Sequence, residues 1–530
     1  MPRFRFCVRP TAPLGGGLTS ATVLAAFWLA TLAPAVAASP ADTARTAAWL
    51  DTYRQRPPLL RQFLQQMPKG ADLHSHFTGA VYAESYLAWA AEAGYCADPA
   101  KGQITPPPCT PTTPRLDALP PKDRSTLVDQ LSTRNLAQSG RAGHDQFFDS
   151  FSRFGPAANT PDALAKMRVE ITQRAASQHI SHLELMSTLQ GGAVRKLGER
   201  MGTDAPPTWA SDEDMARQRA WLLANGLPAL VAQGRQLLDD QDTRYAQRQG
   251  CGGAQAQSGC DVSIGWLQQS SRTQAPALVF AQLTFAFEMA AADGRVVGVN
   301  LVAPEDDPVA LRDYSLHMRM VGFLARQRPG VKIALHAGEL SLGLVPPEHL
   351  RFHIREAVEV AGAHRIGHAA DLGHEDDALE LLHTMKARHV AAEICLSSND
   401  IILNVRGVDH PFPDYLAAGV PVVLASDDEG VSRIDLTNEY LRATRGYGLS
   451  YAQLKQLSRN SLSYSFLPGA SLWQDDAHPE PVLACRHDEL GASAPSTGCQ
   501  DFLRASPKAQ RQWALEAAFT RFETLPDWHL

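Results

Sequence analysis

In Ala71-Asp72-Leu73-His74-Ser75-His76-Phe77-Thr78-Gly79 a short strand-length run, 71–76, closes on two histidines. In a strand, residues two apart share a side, so the imidazoles of His74 and His76 point the same way. Seven further runs of strand length follow, at 180–186, 262–267, 296–302, 331–336, 365–368, 390–396 and 420–425. Longer stretches with helical spacing lie between them, for example 278–292, 311–326 and 348–361. Eight strand-plus-helix units predict an α/β fold of the (β/α)8, TIM-type barrel kind. The barrel is assigned to 67–468, with an insertion at about 191–260. Residues 39–66 read as an N-terminal helical extension interrupted at Pro57-Pro58. Residues 469–530 read as a helical C-terminal tail with a disulfide-closed loop.

Barrels build their sites at the carboxyl ends of the strands. Polar clusters recur at those ends here. His336-Ala337-Gly338-Glu339 ends the fifth run, Arg365-Ile366-Gly367-His368 the sixth, and Ser426-Asp427-Asp428 the eighth. Each alone has an ordinary explanation: a hydrogen-bonded core histidine for His368, a helix cap for Asp427-Asp428. Together with His74 and His76 they supply three histidines and a carboxylate for one divalent metal, plus a further histidine and glutamate. Imidazole and carboxylate ligands suit zinc with a position left open for water.

The chain has 530 residues, 49 Lys plus Arg and 56 Asp plus Glu, for a net charge of −7. This acidic balance with no long basic run argues against a nucleic-acid polymer as partner. Arg3, Arg5 and Arg9, an apolar stretch at 18–33 and Ala35-Val36-Ala37 read as a signal peptide over 1–38, cleaved on export. The expected location is periplasmic or secreted, with no membrane segment after cleavage. Export permits disulfides. Six of the seven remaining cysteines form local pairs, so bridges are expected at Cys96–Cys109, Cys251–Cys260 and Cys485–Cys499. Cys395, in an apolar run, is expected to be a buried free thiol.

The motifs Leu73-His74-Ser75-His76, His336-Ala337-Gly338-Glu339, Arg365-Ile366-Gly367-His368 and Ser426-Asp427-Asp428, in this order, resemble the adenosine deaminase family of the metal-dependent amidohydrolase superfamily. Met67-Pro68-Lys69-Gly70 looks like that family's exported, growth-factor-related branch. The resemblance implies that His74, His76, His336 and Asp427 ligate one Zn²⁺ per chain. It implies that His368 and Asp427 orient and deprotonate the attacking water, and that a protonated Glu339 gives its proton to purine N1. Asp428 would meet N7, and the N–H of Ala303 would meet N3, at a position where the family commonly has Gly. Phe148 and Phe151, among four phenylalanines at 147–154, resemble the helix that lines the family's pocket. Glu393 and Ser397 would support the site from outside. The family's Asp for the ribose 5′-hydroxyl is here Thr78, which can bond a sugar hydroxyl only without charge. The activity implied is zinc-dependent hydrolytic deamination of adenosine or 2′-deoxyadenosine to the inosine form, with release of ammonia. Alternatives are deamination of adenine or another amino-purine, and a catalytically weak nucleoside-binding or signalling protein. The implied partner is a purine nucleoside, and because insertions in the exported branch can mediate dimers, a homodimer stays open.

Overall fold

Eight parallel strands pair in chain order: β1 (Gly70–His76), β2 (Ile180–Ser187), β3 (Ser263–Ser271), β4 (Val296–Val302), β5 (Lys332–Ala337), β6 (Arg365–His368), β7 (Ala391–Ile394) and β8 (Val422–Leu424). They come from a computed structural model that describes residues 39–160, 162–476 and 479–525. The signal-peptide expectation for 1–38 lies outside the described residues. β8 meets β1 through a parallel bridge between Ser75 and Asp427. There His76 N–H donates to the Asp427 carbonyl at 3.0 Å, and Asp427 N–H donates to that of His74 at 2.9 Å. The seam that closes the barrel is therefore built from the residues singled out for chemistry.

Each strand read from the sequence corresponds to one observed strand. The strands are buried on both faces, as a parallel sheet wrapped by helices requires. The helix expected over 348–361 is instead two pieces, a 3-10 turn at Pro347–Leu350 and a helix at His353–Glu359. Phe352 breaks the run with φ −152°, and the Glu375 carboxylate accepts the freed Ile354 N–H at 2.6 Å.

The extension folds as α1 (Pro40–Tyr53) and α2 (Pro57–Gln66), parted where Pro57-Pro58 cannot continue a helix but can start one. α2 leads into the barrel through Lys69, whose fully buried ammonium donates to the carbonyls of Leu64, Met67 and Gln178 at 2.6, 3.0 and 2.9 Å. Those carbonyls would otherwise end up buried without partners. Between β1 and β2 lies α3 (Gly143–Ala158), and the stretch at 191–260 holds α4 (Gly191–Asp204), α5 (Asp212–Ala224) and α6 (Leu227–Gln249). The three expected disulfides are present, and Cys395 is free and buried. Among the described residues no helix is long and apolar enough to cross a membrane.

Candidate active site

The carboxyl ends of β1, β5 and β8 bring His74, His76, His336 and Asp427 together, with one donor atom from each within 4.8 Å of the others. His76 Nε2 lies 3.1 Å from His336 Nε2 and 3.3 Å from Asp427 Oδ1, and His74 Nε2 lies 3.6 Å from the same oxygen. Tetrahedral zinc, with bonds of about 2.0–2.1 Å, spaces its ligands about 3.3 Å apart. These residues therefore fit a zinc ion. His74 Nε2 and Asp427 Oδ1 are buried with no hydrogen-bond partner among the described residues, which is costly unless a cation joins them.

Outer residues aim the donors. His74 Nδ1 lies 2.6 Å from Glu393 Oε2, His76 Nδ1 3.3 Å from Gln269 Oε1, and His336 Nδ1 2.9 Å from Asn300 Oδ1. With a carboxylate or amide oxygen on Nδ1, that nitrogen carries the proton and Nε2 keeps its lone pair for the metal. Ser398 Oγ–H donates to Asp427 Oδ2 at 2.7 Å, leaving Oδ1 for the cradle. Glu393 also binds Arg365, a fully buried guanidinium that holds Glu184 at 2.6 Å as well. Gly367 is required here, because a Cβ at that position would come within 2.3 Å of the His74 ring.

Glu339 is buried beside this cradle, with Oε1 3.5 Å from His368 Nε2. Burial, reinforced by the charge of Asp427, pushes its carboxyl well above the usual range, so it is held protonated. Asp428 is raised for the same two reasons. Burial works against ionisation of Asp427 too, but the neighbouring imidazoles of His74, His76 and His368 outweigh it and hold this carboxyl well below the usual range. Burial holds His368 neutral, pushing it down to about 3. The turn after β5 is pinned by Glu305, which accepts the N–H groups of Gly338 and Glu339 at 3.2 and 2.9 Å. Arg272 in turn donates to the carbonyl of Ala303 at 2.8 Å and to that of His336 at 3.2 Å. Ala303, His368 and Asp427 all have positive φ, at 80°, 67° and 58°. Such backbone is costly for residues with a Cβ, and these three sit at or just past strand ends beside the pocket.

That pocket has a volume of about 310 Å³. It is lined by His76, His336, Glu339, Asp427 and Asp428 and by Thr78, Ala303, Phe148 and Phe151, all expected from the sequence. Phe147 joins the aromatic wall, whereas Phe154 stacks on Tyr86 in the core. Ser397 does not support the site: its hydroxyl and N–H turn to Glu439, and its neighbour Ser398 makes the contact with Asp427. β7 ends at Ile394 and α7 (Leu396–Leu403) begins two residues on, so alternation no longer decides which side chain faces the site. The sequence reading also missed Gln269, Asn300, Glu305 and Arg272: Asn300 is a single polar residue in an apolar run, and the other three lie in the polar stretches 268–273 and 305–307. It missed Arg195 as well, the one Lys or Arg on the pocket wall among the described residues, which α4 brings in from the inserted stretch.

Fold and site define a (β/α)8 barrel that carries three histidines and one aspartate, a candidate metal cradle, at the carboxyl ends of its strands. The model of the adenosine deaminase family matches residues 209–472. His74, His76 and Thr78 lie upstream of that match and reach the site by geometry. Over 175 residues the chain is 34% identical to an adenosine deaminase of Enterococcus faecalis, covering 32% of this chain and 46% of that one. Over 139 residues it is 35% identical to an adenosine deaminase of Shewanella denitrificans, covering 26% and 39%. The chain thus spans less than half the length of these curated relatives. An N6-methyl-AMP deaminase structure from Arabidopsis thaliana aligns with a TM-score of 0.48 at 19% identity, covering 77% of this chain and 94% of that one.

Proposed function

We propose that the protein is a zinc-dependent aminohydrolase that converts a 6-amino purine nucleoside, adenosine or 2′-deoxyadenosine, to the inosine form with release of ammonia. The observation that carries this reading is a buried carboxyl group, Glu339, set against a cradle of three imidazoles and a carboxylate inside one pocket; burial pushes the Glu339 carboxyl well above its usual range. Zinc, when bound by His74, His76, His336 and Asp427, lowers the pKa of a bound water from about 16 towards about 7. His368 and Asp427 flank the place where that water attacks C6. Glu339 gives its proton to N1 as the ring loses aromaticity, and this is the role a raised pKa serves. Asp428, protonated, donates to N7, and the N–H of Ala303 donates to N3. Phe148 and Phe151 cover the base and exclude water. One water is consumed and one ammonia leaves C6.

The sugar end is served by Thr78, without charge. The reading is tested by an ultraviolet assay of the zinc-loaded protein on adenosine, 2′-deoxyadenosine, adenine and AMP side by side. Turnover of a nucleoside, lost on chelation and restored by zinc, is the expected result. No turnover of any of the four would overturn the reading. Adenine as the best substrate would move the assignment to a base deaminase.

We also propose that residues 1–38 are a cleaved export signal and that the enzyme works in the periplasm or outside the cell. Three disulfides, which persist in oxidising compartments, support this. The intact mass of the protein recovered from a periplasmic or culture fraction tests it, since an unprocessed N-terminus would refute the cleavage.

A further inference from the structure

We propose that His410 and Asn399 are positioning residues that lock His368 as its Nε2–H tautomer, so that His368 enters the reaction as a hydrogen-bond donor. All three side chains are buried, and the first two have no place in the chemistry so far described.

The backbone N–H of Phe412 can only donate, and it donates to His410 Nδ1 at 3.1 Å. His410 Nδ1 therefore carries a lone pair, which excludes the imidazolium and places the ring's single proton on Nε2. His410 Nε2 lies 3.2 Å from Asn399 Oδ1, so the imidazole N–H donates and the amide oxygen accepts. This settles which way the Asn399 amide faces. Its NH₂ end is turned to His368 Nδ1, 3.3 Å away, and must donate there. His368 Nδ1 is thereby an acceptor, and the proton of the neutral ring sits on Nε2.

His368 Nε2 faces the reacting centre. It has no hydrogen-bond partner among the described residues, and Glu339 Oε1 is 3.5 Å away. A nitrogen that already bears a hydrogen has no lone pair in the ring plane and cannot remove a proton from water. What it can do is donate to the water oxygen and turn the lone pair of that oxygen towards C6. The proton released when the O–H bond breaks then passes to the Asp427 carboxylate, one of whose oxygens lies within 4.8 Å of the facing atoms of His368 and Glu339. The sequence reading gave orientation and deprotonation jointly to His368 and Asp427. The chain from Phe412 divides the two tasks between them.

Only the division of roles rests on the proposed deaminase activity; the tautomer does not. The primary test is therefore ¹⁵N NMR of the full-length, zinc-loaded protein with ring-labelled histidine at pH 8, with the His368 signals assigned by their loss in His368→Gln. The expected result is an unprotonated Nδ1 and a protonated Nε2, reversed in Asn399→Asp, whose carboxylate requires a proton on Nδ1. A protonated Nδ1 in the unsubstituted protein overturns the proposal, whatever the turnover proves to be. The second test is kinetic, on adenosine at equal zinc content. His410→Phe should lower kcat about tenfold to a hundredfold with little change in KM, the range seen when an outer hydrogen bond is removed. His410→Gln can accept from Phe412 and donate to Asn399, and should recover most of that loss. A His410→Phe variant with full kcat would overturn the positioning role.

Discussion

Replacing Glu393 by Gln changes one oxygen for one NH₂ and should weaken zinc binding about tenfold to a hundredfold. In the native arrangement one carboxylate oxygen accepts from His74 Nδ1 at 2.6 Å while the other holds Arg365. A Gln amide cannot do both. With its oxygen towards His74, its NH₂ meets the Arg365 guanidinium, donor against donor, in a site that excludes water. With its NH₂ towards His74, Nδ1 must become the acceptor, the proton moves to Nε2, and the lone pair meant for the metal is gone. The first arrangement costs stability and the second costs metal affinity. Loss of an outer partner of a metal-bound histidine typically weakens binding by about 10–100-fold, or about 1.4–2.7 kcal/mol. Removing one carboxylate from a fully buried Arg is worth about 3 kcal/mol, the low end of the usual range, because Glu184 remains at 2.6 Å. Competition with a calibrated chelator measures the first figure, and thermal unfolding with and without EDTA separates the second. Glu393→Asp, which keeps the charge, is the control. A Glu393→Gln protein that binds zinc within twofold of the original and unfolds at the same temperature would refute the account of how His74 is held.

Glu339→Gln should keep zinc and fold but lose about a thousandfold or more in kcat, within the usual range for a general acid. Because Glu339 must be protonated and burial raises its pKa, kcat/KM should be present on the acid side of that pKa and fall tenfold per pH unit above it; a limb of opposite sign assigned to Glu339 would contradict its role. Ala303→Gly relieves a Cβ held at φ 80° and should stabilise the protein by about 1 kcal/mol in chemical denaturation, while a clear loss would mean that the methyl packs usefully in the pocket. Lys69→Met strips three buried carbonyls of their donor and should cost at least about 3 kcal/mol, read from the same denaturation curves; a cost under 1 kcal/mol would show those carbonyls to be satisfied without it.

Much of the site was legible because barrel chemistry is written at strand ends. His74-Ser75-His76 states its own geometry, since alternation along a strand needs no tertiary information. Glu339, His368 and Asp427 each sit within three residues of an apolar run, so strand order and the barrel's polarity were enough to place them on one rim. The disulfides were legible for a similar reason, as each closes a short local loop. The partners that aim the ligands were not. Gln269, Asn300 and Glu305 are polar residues whose meaning depends on which neighbouring strand they face. Ser397 and Ser398 are adjacent in sequence, and only the start of α7 decides that the second touches Asp427 and the first turns to Glu439.

The amino-acid sequence by itself determined the eight strands, the face each presents and the residues on the carboxyl rim, because these follow from local periodicity and the hand of the parallel crossover. Tertiary structure alone decided the rest. It made the seam of the barrel, Ser75 against Asp427, the floor of the metal cradle. It buried Glu339 far enough from water, and near enough to Asp427, to keep its proton. It also joined His410 to His368 through Asn399. Burial, protonation and hydrogen-bond direction depend on groups far apart in the chain, and those groups meet only when the barrel closes.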